Sequence, residues 1–183
     1  MLSCTNMYRI NALLRSDQRL FHTQDLALLW QTNNKNSLYT RIKRYIDRGI
    51  LIPIHKGFYA TAPIDGLNPL RLGIGYLHHF AYLSCESILA ECGVIFQHSN
   101  YLTLVANRST RFRIGDRRYL VRKLQEKYLF NYAGLVEEDG VYKAALERAV
   151  ADILYFNRRY YFDAKDKIPW SQVKKIQKEV YRQ

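Results

Sequence analysis

From residue 21 onward the apolar positions fall in helical steps. Leu26, Leu29 and Trp30 stand at i, i+3 and i+4, one face of a short helix. Thr23 ahead of them reads as its N-cap, and Asp25 occupies the first turn, where the helix dipole favours an anion. Thr32 to Asn36 contain no apolar residue and read as a turn. A second helix is predicted from Ser37 to Arg48, because Leu38, Ile42, Tyr45 and Ile46 repeat at i, i+4, i+7 and i+8. Its other face presents Tyr39, Thr40, Arg41, Lys43, Arg44 and Asp47, and Gly49 follows where a left-handed residue closes a helix. The run Ile50 to His55, the Lys56-Gly57 turn and Phe58 to Thr61 then predict a β-hairpin, with Pro53 on its outer edge because proline donates no ladder hydrogen bond. With Tyr8, Ile10, Leu13 and Leu14 as a first helix, this order is that of a winged helix-turn-helix over residues 1–62.

Pro63, Gly66 and Pro69 mark a linker near residues 61–68. Beyond it, Pro69 to His79 reads as a helix opened by a first-turn proline, against the preferences of Gly73 and Gly75. Ser84 is the expected N-cap of a helix from Cys85 to Cys92, closed by Gly93. Val94 to Phe96 and Tyr101 to Val105 are strand-like. Thr110 to Ile114 and Arg118 to Lys123 form a second hairpin about Gly115-Asp116, with Arg111 and Arg113 on one face and Phe112 and Ile114 on the other. An acidic turn, Glu137 to Gly140, precedes a strand at Val141 to Lys143. Two helical stripes follow, Leu146-Ala149-Val150-Ile153-Leu154 and Trp170-Val173-Ile176-Val180. Without strict β-helix-β alternation, residues 66–183 read as a small mixed α+β domain, and the whole chain as α+β.

Composition adds a partner class. The chain has 183 residues, 48% of them hydrophobic, enough for one large or two small cores. Its 28 Lys and Arg outnumber 16 Asp and Glu, a net charge of +12, which favours an anionic partner. The excess is concentrated. Residues 1–60 carry nine cations against three carboxylates, and residues 108–127 carry eight against two. Clustered charge of this kind tracks a phosphate backbone. An aromatic content of 14% argues against disorder. No apolar run reaches the ~18 residues of a membrane helix, so no membrane partner is expected. Met1 to Asn6 lack a basic then apolar pattern, and three cysteines make no disulfide framework; a cytoplasmic location is expected.

The docking rule for helix-turn-helix proteins places the second helix in the major groove of double-stranded DNA. That selects Asn36, Ser37, Tyr39 and Thr40 for base edges, Lys43 and Arg44 one turn on, and Lys56 at the hairpin tip for a phosphate. Arg111, Arg113, Arg117, Arg118 and Arg122 form a second basic patch, for which a solvated face, a longer DNA footprint and an acidic protein surface all remain open. Little else carries chemistry. Cys85 and Cys92 lie seven apart, too far for one zinc, His78 and His79 point apart on a helix, and no metal is expected; buried small hydrophobes are the plainer reading of the cysteines. Arg148 and Asp152 at i, i+4 read as an intrahelical ion pair. Ser84 and Ser87 lack a histidine partner, and no glycine-rich phosphate loop occurs, so neither a cofactor nor an enzymatic activity is expected.

Several of these segments resemble one family. Phe21 to Ala60, with Arg48-Gly49-Ile50-Leu51 and Lys56-Gly57-Phe58-Tyr59-Ala60, is similar to the N-terminal domain of AbiEi-type antitoxins. Tyr82 to Leu89 through Gly93-Val94-Ile95, and Ala145 to Tyr155, are similar to that family's C-terminal domain. The resemblance implies one half of a type IV toxin-antitoxin pair. Its N-terminal domain would bind operator DNA and repress its own operon, and its C-terminal domain would counter a nucleotidyltransferase-like toxin. The alternative reading is a stand-alone winged-helix regulator whose second domain senses a ligand or a protein.

Overall fold

The computed structural model describes residues 4–97 and 99–182, with side chains from Tyr8 onward. Met1 to Ser3, within the stretch whose pattern is unlike a secretory leader, lie outside them. The chain is mixed α+β and divides into two units, Met1–Asn68 and Pro69–Gln183.

The first unit contains α1 (Cys4–Arg15), β1 (Leu20–His22), α2 (Thr23–Leu29), α3 (Lys35–Asp47), β2 (Ile52–His55), β3 (Phe58–Ala60) and a 3-10 turn at Ile64–Gly66. The predicted stripes meet in one core, where Leu13, Phe21, Leu26, Trp30, Leu38, Ile42, Tyr45, Leu51 and Tyr59 cluster. Trp30 and Tyr45 pack edge to face with centroids 5.2 Å apart. Burying such side chains at ~25 cal/mol per Å² of apolar surface is what holds so small a unit together. In α1, however, Tyr8 and Leu14 are exposed, while Leu13 is buried and Ile10 packs against the core. A three-residue strand, β1, was not expected; it pairs antiparallel with β3, which thus lies between β1 and β2. Pro53 sits exposed on the edge strand β2, where its missing donor costs nothing. The start of α2 also differs from expectation. Thr23 is its first residue and His22 the cap, with the Asp25 carboxylate accepting the His22 N–H at 2.7 Å.

The second unit contains α4 (Pro69–Leu77), β4 (Ala81–Leu83), α5 (Glu86–Glu91), β5 (Tyr101–Ala106), β6 (Thr110–Ile114), β7 (Arg117–Lys123), α6 (Glu126–Leu129), β8 (Leu135–Glu138), β9 (Val141–Ala144), α7 (Leu146–Phe156), a 3-10 turn at Lys165–Lys167, α8 (Trp170–Ile176) and a π-helical turn at Gln177–Tyr181. One six-stranded sheet runs β6-β7-β5-β4-β9-β8, with β5–β7 and β4–β9 parallel and the other neighbours antiparallel. Helix α4 covers one face, on which Tyr76 stacks with Phe112 at 4.1 Å. Helices α5 and α7 lie on the other, and α8 packs against α7. Gly73 explains how a helix with poor propensity survives here. A Cβ at that position would stand 2.3 Å from the ring of Tyr119, which is fully buried and donates its hydroxyl to Pro69 O.

Two predicted features are absent. Val94 to Phe96 form no strand; Val94 O instead accepts the amides of Asp163 and Ala164. Ser84 is no N-cap, since Cys85 takes that position with φ +53°, and Cys92 is exposed where a buried residue was expected.

Ser84 is drawn instead into the centre of the unit. Arg148 and Asp152 are both fully buried and paired at 2.8 Å. Every N–H direction of the guanidinium is used: Nε on Asp152, Nη1 on the carbonyls of Asn131 and Ala133, and Nη2 on the Tyr82 hydroxyl and Tyr128 carbonyl. Ser84 and Tyr181 donate their hydroxyls to Asp152. Burial is the largest influence on Arg148 and lowers its pKa, but Asp152, Tyr82 and Tyr181 together more than offset it, so the pKa is raised.

Two substitutions test this account. Asp152→Ala strands a buried guanidinium and is expected to cost about 3–5 kcal/mol in urea unfolding of residues 69–183, followed by their amide NMR signals. Gly73→Ala forces a methyl into a buried ring and should cost roughly 1–3 kcal/mol in the same measurement. Wild-type stability in either variant contradicts the packing described.

Candidate nucleic-acid interface

Helix α3 is built to present one face and bury the other. Asn34, in extended backbone, caps it by accepting the Ser37 amide at 3.1 Å. The helix therefore begins two residues before the predicted Ser37, and Asn36 lies in its first turn rather than in the preceding loop. Leu38, Ile42 and Tyr45 go to the core. Asn36, Ser37, Tyr39, Thr40, Lys43 and Arg44 are all exposed, and their spacing of one, three, four, seven and eight places them along one side. The Thr40 hydroxyl donates to Asn36 O at 2.8 Å, which leaves its oxygen free to accept. Tyr39, at 55% exposure, is the most prominent apolar group of the face.

The hairpin is positioned beside this helix. A groove of about 350 Å³ is lined by Tyr39 and Ile46 from α3 and by Pro53, His55 and Lys56 from the hairpin. On its other side Tyr39 borders a hollow of about 420 Å³ with Thr23, Thr32 and Lys35. The hairpin turn is tethered to the start of α2, because Gly57 O accepts the Thr23 amide at 2.9 Å and the Thr23 hydroxyl at 3.4 Å. That tether holds exposed Lys56 in place next to the helix face. Exposed cations on the helix face and at the hairpin tip suit phosphate contact, and the hydroxyls and amide of the same face suit base edges.

Arg41, which the sequence placed on the same face without assigning it a role, has a distinct one. Its guanidinium donates to the Thr32 hydroxyl at 2.7 Å and lies 5.7 Å above the Trp30 ring. It thereby ties α3 to the turn behind α2. Burial lowers its pKa, and the neighbouring Arg9 lowers it further, so the positive charge is crowded at this edge. Only the three-dimensional approach of Trp30 and Thr32 distinguishes Arg41 from Lys43 and Arg44.

In the second unit the register divides the other arginines. Arg111 pairs with Leu120 and Arg113 with Arg118, while Val105 of β5 pairs with Arg122. Side chains alternate along each strand, so Arg111, Arg113, Arg118 and Arg122 share one face of the sheet. Arg117 belongs to the opposite face, with Tyr119 and Phe112. Arg113 is tied to Asp116 and to Gly115 O, and Arg122 to Glu86. Among the described residues Arg111 and Arg118 make no ion pair.

No protein-family model and no curated protein sequence matches the chain. A crystal structure of the RV2827C protein from Mycobacterium tuberculosis is similar in fold, with a TM-score of 0.53 and 12% sequence identity over 100% of this chain and 68% of that one. At that identity the likeness concerns the fold alone. Among the described residues no helix is long and apolar enough to cross a membrane, and no three His, Cys, Asp or Glu side chains are grouped to hold a metal.

The capping of α3 generates a direct test. Asn34→Ala removes the acceptor for the Ser37 amide and should cost about 1 kcal/mol of local stability. Hydrogen exchange at Ser37 is expected to quicken several-fold, and an unchanged rate would show that the cap does not hold the helix start.

Proposed function

We infer that the first unit is a winged helix-turn-helix that binds double-stranded operator DNA. In this reading α2 and α3 are the helix-turn-helix and the β2–β3 hairpin is the wing. The observation that carries it is the exposed face of α3, where polar and basic side chains stand together beside a tethered, lysine-tipped hairpin. Asn36, Ser37, Tyr39 and Thr40 read base edges, and Lys43, Arg44 and Lys56 hold phosphates.

The sequence resemblance extends this to an antitoxin of the AbiEi type, a cytoplasmic, non-enzymatic repressor of its own operon whose second unit counters a nucleotidyltransferase-like toxin. What supports the extension is the pair of resembling segments in the second unit. Tyr82-Leu83-Ser84 and Arg148 to Asp152 meet there in one buried network. A second reading, a stand-alone regulator with a ligand-sensing second unit, is favoured by the open cleft beside Arg111 and Arg122.

DNA binding is tested on the promoter of the protein's own gene by fluorescence anisotropy across a salt series. Lys43→Ala/Arg44→Ala should lower the slope of log K against log salt by about two, since each phosphate contact contributes ~0.9. Tyr39→Ala is expected to alter preference among operator variants more than the slope. A double variant that binds as tightly as wild type at physiological salt overturns the assignment of α3 as reader. The antitoxin reading is tested separately, by co-expression with the product of the adjacent reading frame. Growth rescued by Lys43→Ala/Arg44→Ala as well as by wild type would separate neutralisation from DNA binding, and no rescue by either would remove it.

A further inference from the structure

The second unit holds a cleft that DNA recognition by α3 leaves unused. It has a volume of about 540 Å³, within the range of small-molecule sites, and opens on the arginine-bearing face of the sheet. Ser109, Arg111, Leu120, Arg122, Lys123 and Phe156 line it. Arg111 and Arg122 reach it from neighbouring strands on one sheet face, and Phe156 from the last turn of α7. The Ser109 hydroxyl accepts the Lys123 amide at 3.1 Å and so fixes the open end of the β6–β7 hairpin.

The charges of this cleft are only partly matched. Arg111 and Lys123 make no ion pair among the described residues, while Arg122 is held by Glu86. Three lining cations against one carboxylate leave two positive charges at an open cleft. Among the described residues Arg122 Nε and Glu86 Oε2 are buried without a hydrogen-bond partner, so the pair leaves one donor and one acceptor unmatched. The guanidinium of Arg122 lies 5.5 Å above the Phe156 ring, which orients its plane. The C-terminal end of α7 favours that cation and disfavours an anion, which places any anion on the strand side, near Arg111 and Lys123.

We propose that this cleft binds a nucleotide through its terminal phosphate. A phosphomonoester carries close to two negative charges at pH 7, which matches the uncompensated charge. Arg111 meets the phosphate from the sheet face it shares with Arg122, Lys123 adds positive charge at the open end of the hairpin, and a base stacks on the guanidinium plane that Phe156 supports. The same chemistry is offered by a free mononucleotide and by the 5′-phosphorylated end of a nucleic acid. The site shares no residue with the face of α3 proposed to read DNA.

Isothermal titration calorimetry of the full chain tests it with AMP, adenosine, inorganic phosphate, and one tetranucleotide with and without a 5′-phosphate. AMP is expected to bind at least about tenfold more tightly than adenosine, a difference of about 1.4 kcal/mol. Arg111→Ala/Lys123→Ala, both exposed, should weaken AMP by a similar factor with an unchanged circular dichroism spectrum, and Phe156→Leu should weaken AMP more than inorganic phosphate. Lys43→Ala/Arg44→Ala should leave AMP binding as it is, whatever it does to operator DNA. AMP tighter than the phosphorylated tetranucleotide identifies a free nucleotide as the source, and the reverse order a nucleic-acid end; either supports the site. Equal binding of adenosine and AMP, no heat with any phosphate up to about 5 mM, or an equal loss of AMP binding in the α3 variant overturns it.

Discussion

The second unit depends on one buried ion pair. Arg148 and Asp152 are fully enclosed, and a charge in that position is tolerated only when every donor and acceptor is matched. The match reaches far along the chain. It joins Tyr82 in the middle of β4, Ser84 just after that strand, the carbonyls of residues 128, 131 and 133, and Tyr181 in the π-helical turn. Tyr181 in turn stacks on Tyr155 and meets Tyr128 edge to face. An apolar core could supply equal stability, but it would not dictate which loop carbonyls face α7. The pair thus sets the register between the sheet, the loop after α6 and the chain terminus.

The first unit solves a different problem with less material. A small buried cluster, nine residues among those described, holds three helices and a small sheet while one face of α3 stays uncovered. Local devices share the work: the Asn34 cap, the Asp25 carboxylate on the His22 amide, and the Thr23 to Gly57 tether. Each matches a backbone group that would otherwise be lost at an element's end. Arg41 spends its charge inside this framework, on Thr32 and above Trp30, while Lys43 and Arg44 remain in solvent. Neighbours in sequence therefore divide into a scaffold residue and two surface cations.

The sheet makes a comparable division. Its β6–β7 edge is rich in arginine, but alternation and register send Arg117 to the face covered by α4 and the other four to the opposite one. Two of those four, Arg113 and Arg122, are then engaged by carboxylates. A block that looks uniform in charge resolves into one cleft, one bound pair and, at Arg118, an exposed cation with no ion pair among the described residues.

Periodicity was enough to locate α3, its buried stripe and its exposed face, because a helix's burial pattern repeats every few residues and needs no knowledge of the partner. The same holds for the hairpin at Gly57, the β6–β7 hairpin and the edge position of Pro53. The candidate DNA-facing residues were legible for that reason. Where the sequence went astray, the deciding contact was distant. Ser84 resembles a helix cap until Asp152, 68 residues away, takes its hydroxyl. Val94 to Phe96 look like a strand until residues 163 and 164 bind Val94 O. A three-residue strand such as β1 has no period to detect and exists only because β3 lies beside it. Arg148 and Asp152 were visible as a helical pair, but that they lie at the centre of the unit was decided by tertiary packing, since spacing records which residues share a face and not what covers it.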